Sequence, residues 1–172
     1  MKSNPAVERL IAKLVTVLSE EMQMYNELLL VLRKKQSSII EGKLEELQQA
    51  IIDEQTVLKK TEAIEKTRTA SLQDLNAALN EDEEVRTIGQ LVQRVESTYA
   101  ERLSDLHLSL QKIVQEVMLA NEENRYLLDY SIRFVREAAR ELIKTSDQFP
   151  LYSSTGVGQG SAQGSGFIEG TI

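Results

Sequence analysis

An all-α fold of long, antiparallel, amphipathic helices, packed as an elongated coiled-coil-like bundle with a flexible C-terminal tail, follows from three features of the sequence. The first is punctuation. The two prolines are Pro5 and Pro150, and of the eight glycines only Gly42 and Gly89 lie between them. A stretch that long with two breakers reads as helix. The second is spacing, because apolar residues recur in steps of three and four, the signature of one helix face. The third is composition. Aromatics make up 5% and Trp is absent, so Leu, Ile and Val must build the core, which favours helix-on-helix packing.

The first helix is expected over about 5–40. Asn4 can cap it, and Pro5 suits the first helical position, where a missing N–H costs nothing. Val7, Ile11, Leu14, Leu18, Tyr25, Leu28 and Leu32 form its stripe. Lys34 and Lys35 suit the negative end. Gly42 breaks the helix.

The second helix is expected over 43–79. Leu44, Ile51, Leu58, Leu72 and Leu79 fall on a seven-residue grid, with Glu65 filling the gap. The companion row is Leu47, Glu54, Thr61, Arg68 and Leu75. Its polar middle implies partial exposure, or pairing of Glu65 with Arg68.

The acidic stretch 80–86 is a loop. Thr87-Ile88-Gly89-Gln90 matches a capping box, so a third helix is expected over 87–145. Leu103, Leu106, Leu110, Ile113, Val117, Ala120, Asn124, Leu127, Ser131, Phe134 and Ala138 alternate steps of three and four without a slip. Such a helix would span on the order of 85 Å at 1.5 Å per residue. A compact bundle is shorter, so part of it should project or bend. Residues 1–149 thus form the helical bundle, and 150–172 a Gly/Ser-rich tail that cannot bury enough apolar surface to offset chain entropy.

Charge and residue types exclude several functions. The net charge is −7, so phosphate backbones are repelled and no nucleic-acid role is expected. There are no cysteines, which removes disulfides, thiol catalysis and Cys-based zinc sites. His107 is the one histidine and reads as a boundary residue. A di-iron bundle would need Glu three positions before it, and Ser104 stands there. The carboxylate clusters Glu45-Glu46, Glu81-Asp82-Glu83-Glu84 and Glu122-Glu123 read as solvated surface. Gly156, Gly158 and Gly160 precede no helix and make no phosphate cradle. Neither an enzyme nor a cofactor or metal site is expected. The N-terminus shows no apolar leader segment, and no apolar run spans a membrane, so a cytoplasmic protein without membrane insertion is expected.

One segment carries surplus apolar surface. Asn121 to Ile143 reads NEENRYLLDYSIRFVREAARELI. Beside the seam of Asn124, Leu127, Ser131, Phe134 and Ala138 runs a second stripe of Leu128, Ile132, Val135, Ala139 and Leu142. At about 100° per residue the two are rotated by roughly 100°. One neighbour covers one stripe; the second needs another helix of the same bundle or the amphipathic helix of a partner. Asn121 and Asn124 on an apolar face demand hydrogen-bond partners, either to fix register or to meet a partner's backbone. The chain is therefore read as a protein that holds another protein, with a structural adaptor dimerising through helix three as the alternative.

The pattern Asn121-x-x-Asn124-x-x-Leu127-Leu128-x-x-Ser131-x-x-Phe134 closing a long helix resembles the FlgN family of flagellar export chaperones. The Glu20–Tyr25–Leu28–Leu29 stretch, the turn at Gly42 and Glu62-x-x-Glu65-x-x-Arg68 match in order and spacing, over about Leu10 to Ile143. The tail, with Tyr152, Gly156 and Phe167-Ile168-Glu169, is similar to tails of some members. Lys43 departs from the Asp that commonly follows the turn glycine, and Glu122-Glu123 is more acidic than the motif requires. The resemblance implies a cytoplasmic chaperone that binds the amphipathic C-terminal segment of hook–filament junction proteins (FlgK and FlgL), blocks premature association and docks at the flagellar export gate. It implies substrate contacts at Asn121, Asn124, Leu127, Leu128, Ser131, Phe134 and Val135. Tyr152, Phe167 and Ile168 mark either an inert end or a docking motif for the export machinery.

Overall fold

The computed structural model describes residues 5–79, 85, 87–95 and 97–148. Among them are four helices and no strand: α1 (Pro5–Glu41), α2 (Leu44–Leu79), α3 (Ile88–Val92) and α4 (Ser97–Gln148). The fold is all-α, as its periodicity predicts. The expected Asn4 cap and the tail from 149 onward lie outside the described residues. The chain divides into two compact units, Met1–Ser131 and Ile132–Ile172.

In the first unit, α1 and α2 run antiparallel. Lys13 faces Asp74, Tyr25 faces Glu65 and Lys35 faces Glu54. Between them Gly42 adopts φ +68, the left-handed conformation that glycine reaches without a Cβ clash. The Gly42 N–H donates to the Ile39 carbonyl and the Lys43 N–H to that of Ser38, a Schellman closure that satisfies two orphan carbonyls. Lys43 then precedes α2. Its side chain cannot accept from the helix N–H groups, so it does the next best thing and bridges Glu41 and Glu46.

The part of α4 within the first unit, up to Ser131, lies parallel to α1. Glu116 approaches Arg33, Glu123 accepts from Gln36, and Asn124 reaches the Leu32 carbonyl. The core gathers Leu14, Leu18, Leu28 and Leu32 of α1, Val57, Leu72 and Leu75 of α2, and Leu103, Leu110 and Ile113 of α4. Full burial of each such side chain contributes about 1.5–3 kcal/mol before entropy is counted.

The inward face of α2 differs from the expected one over its first half. Leu44, Ile51 and Leu58 are exposed, Leu44 at 71%, whereas Leu72 of the same row is buried and Leu79 half-buried. The row that faces inward is the companion row with its neighbours: Leu47, Ala50, Val57, Thr61, Ser71 and Leu75 are buried or half-buried. Many of these are small. Small residues let α2 approach an α1 whose inward face is nearly all Leu and Val, and dense packing needs that exchange of volume. The polar middle also pairs differently. Arg68 forms an ion pair across the hairpin with Glu21 at 3.1 Å, not with Glu65. Glu65 instead accepts from the Tyr25 hydroxyl at 2.9 Å.

The expected third helix is divided. The capping box at Thr87 is formed, with Thr87 Oγ1 accepting from the Gln90 N–H and Gln90 Oε1 from the Thr87 N–H. It caps only the five residues of α3, and the backbone turns at Gln93–Val95 before α4 begins. Ile88 and Leu91 are buried, so α3 plugs the bundle core. Asn76 of α2 holds the chain just before it. Its Nδ2 donates to the Val85 carbonyl and its Oδ1 accepts the Val85 N–H.

Candidate functional site

The residues expected to meet a partner fall in both units, and their surroundings differ. Through the first unit the α4 seam is covered, with Leu103, Leu110, Ile113 and Ala120 buried. Asn124 continues that seam at 1% exposure. Its Nδ2 donates to the Leu32 carbonyl at 2.8 Å, while its Oδ1 is buried with no partner. Asn124 is thus turned into the bundle and offers no surface. Leu127, Leu128 and Ser131 are half-buried, and the Ser131 hydroxyl donates back to the Leu127 carbonyl. Asn121 is exposed.

In the second unit the same helix carries its apolar residues in the open. Ile132 is 47% exposed, and Phe134 and Val135 are each 63% exposed. Ala139 and Leu142 are exposed as well. At 100° per residue, Ile132, Val135, Ala139 and Leu142 share one side, with Ala138 and Phe134 along one flank and Arg136 and Arg140 along the other. Glu137 lies on the opposite side. Contiguous exposed apolar patches are commoner at interaction sites than elsewhere on a protein surface.

Sequence reasoning missed a second exposed apolar set. Ile40 at the end of α1, together with Leu119, Tyr126 and Leu127 of α4, lines a shallow groove of about 460 Å³ bordered by Gln36, Glu122 and Glu123. Leu119 and Tyr126 are seven apart and lie off the seam. That heptad step was the one signal available.

The electrostatic centre of the first unit lies elsewhere, between α1 and α2. Glu21 is buried, and that burial raises its carboxyl above the ordinary range against the lowering effect of Arg68. The Arg68 Nε–H is not aligned on an acceptor, so the pair is held by charge more than by hydrogen-bond direction. Burial, then the bond to Glu65, pushes the Tyr25 phenol up to about 12. A shallow depression of about 420 Å³ reaches Glu65 and Arg68 from the outer side of α2, and the cluster reads as a polar layer of the helix pair. Among the described residues no group of three or more acidic, His or Cys side chains could hold a metal ion. Among them, too, no helix is long and apolar enough to cross a membrane. Tyr152, Phe167 and Ile168 lie outside the described residues.

A family model described as FlgN protein matches residues 1–159. No curated protein and no solved structure matches the chain. A match over that span, on an all-α bundle whose last helix carries an open apolar face, decides the assignment: the chain belongs to the FlgN family, the flagellar export chaperones that bind hook-associated proteins.

Proposed function

We propose that this chain binds the amphipathic C-terminal helical segment of hook–filament junction proteins of the FlgK and FlgL type in the cytoplasm, prevents their premature association and hands them to the export gate. The observation that carries the reading is the exposed apolar face of α4 at Ile132 and Val135, with exposed Phe134 on its flank. A helix laid on it would anchor apolar residues at i, i+3, i+4 and i+7. Leu142 and Ala139 extend that face, and Asn121, Leu127, Leu128 and Ser131 supply the remaining contacts. Asn124 acts from behind, by fixing α4 against α1. The reading requires no enzymatic step, cofactor or metal. Tyr152, Phe167 and Ile168 are the proposed docking elements for the gate.

The test is calorimetry of the full chain with junction-protein C-terminal peptides, alongside circular dichroism. Binding with a gain of helicity is expected. Absence of both heat and complex overturns the reading. A chain truncated at Pro150 that still binds substrate but no longer supports export would place gate docking in the tail; unchanged export would remove it from there.

A further inference from the structure

The heptad pattern puts two carboxylates where α2 should be apolar. Leu44, Ile51, Leu58, Glu65, Leu72 and Leu79 form one row, and Leu47, Glu54, Thr61, Arg68 and Leu75 its companion. Together they alternate steps of three and four, the two core positions of a coiled-coil seam. α2 does not centre that seam on α1. Leu44, Ile51 and Leu58 are 71%, 38% and 41% exposed, while Ala50, Val57 and Ser71, which lie beside the seam, are buried. At about 100° per residue, α2 is turned by roughly 50° from the seam-centred rotation. The turn leaves large aliphatic side chains in water and gives smaller ones to the interface. Apolar area alone favours the other rotation.

We propose that Glu54 and Glu65, by their exclusion from the apolar interface, set the rotation of α2 on α1 and so keep Leu44, Ile51 and Leu58 on the surface. In the seam-centred rotation both carboxylates would sit near the middle of the interface, and an ionised carboxylate taken there loses its water. In the observed rotation both are half-buried at its margin. There the Lys35 ammonium meets Glu54 at 2.7 Å, and the Tyr25 hydroxyl donates to Glu65 at 2.9 Å. Arg68, the remaining charge of the seam, keeps a partly exposed side chain and pairs with the buried Glu21. Ala50 and Ser71 make the turned face packable, but small residues exclude neither rotation, whereas the carboxylates oppose the seam-centred one. The two residues select which face of α2 the molecule shows, a use of partly buried charge for conformational choice more than for stability.

The experiment exploits the absence of native cysteine. Single reporters in the full chain, Leu58→Cys on the outward row and Ser71→Cys on the inward face, are read as thiol labelling rates. Ser71 is 1% exposed. With Glu54 and Glu65 in place, Leu58→Cys is expected to label at least about tenfold faster than Ser71→Cys, because protection follows burial and local opening. Adding Glu54→Leu with Glu65→Leu completes the seam, and the order is expected to reverse. Adding Glu54→Gln with Glu65→Gln keeps a polar group at both positions, and the order is expected to persist. Circular dichroism checks that each variant is folded, and Glu54→Met with Glu65→Met replaces a leucine pair that is not. An unchanged order in the apolar variant overturns the proposal, since small residues would then set the rotation. So does fast labelling of both reporters, which would make the carboxylates ordinary contacts of the hairpin. Reversal in the glutamine pair would overturn exclusion from the interface as the cause.

Discussion

Asn124 of α4 donates its Nδ2 to the backbone carbonyl of Leu32 on α1, 2.8 Å away and 92 positions distant in the chain. The donor is specific because a helix carbonyl has a spare lone pair and no proton to give. Its partner atom, Oδ1, is sealed from solvent without a bond. Replacing the amide by a carboxylate would set an acceptor against an acceptor and bury a charge.

Asn124→Asp is therefore expected to destabilise the chain by about 3–5 kcal/mol at neutral pH. The loss should shrink in acid, where the carboxyl regains a proton and can donate again. Urea unfolding at neutral and acid pH measures it. An Asp variant as stable as wild type at neutral pH would remove the bond from the account of how α4 is held.

Tyr25 gives an alkaline signature. Its folded phenol sits at about 12 against an ordinary 10.0. In that window the unfolded chain loses its phenolic proton first, so the folded state binds more protons and stability falls as pH rises. Below the window the contribution is fully present. Tyr25→Phe should flatten this alkaline decline, read as thermal unfolding against pH, with tyrosinate absorbance following the phenol itself.

Glu21 has the same sign in the acid range. Its folded carboxyl is raised above 4.5, mainly by burial. Its ionised form is thus a cost, carried in full above the folded value and relieved as pH falls toward 4.5. Glu21→Gln should show less gain in stability than wild type on acidification over that interval. Equal pH profiles would show that Arg68 cancels the burial.

Gly42→Ala should cost about 1–2 kcal/mol. A Cβ at Gly42 meets no atom within 4 Å, so the loss would come from the positive φ alone. Chemical denaturation of the full chain measures it, and a neutral result would mean the turn relaxes.

Val135→Asp is the clean probe of the proposed substrate face. Val135 is 63% exposed, so the change should leave helicity and unfolding nearly as in wild type. Junction-peptide affinity should fall at least tenfold, about 1.4 kcal/mol. Leu128→Asp is expected to fail on both counts, because Leu128 is half-buried in the first unit.

Helix content and the turn at Gly42 were legible because breakers and periodicity are local properties. The inward face of α2 was not. Counting Leu and Ile favoured the Leu44–Ile51–Leu58 row, whereas packing against a Leu-rich α1 selects small residues such as Ala50 and Ser71. The break between α3 and α4 was also invisible. Ile88, Leu91, Val95, Tyr99 and Leu103 continue in steps of three and four, and no Pro or Gly stands at Gln93–Val95. The two stripes of the Asn121–Ile143 segment were readable, but which of their residues turn inward was not. Asn124 is polar by composition and buried by position, and only the carbonyl of Leu32 reconciles the two.

Asn76 and Thr87 have a practical corollary. The first grips Val85 through both backbone groups, and the second starts α3 through its box. The chain leaving α2 is thus pinned on arrival by contacts that do not depend on what lies between. Closing a loop twice as long costs only about 0.6 kcal/mol more. The stretch between Leu79 and Val85 is accordingly a place to insert a fluorescent or affinity handle, so that the chaperone can be followed during export with the open face of α4 unaltered.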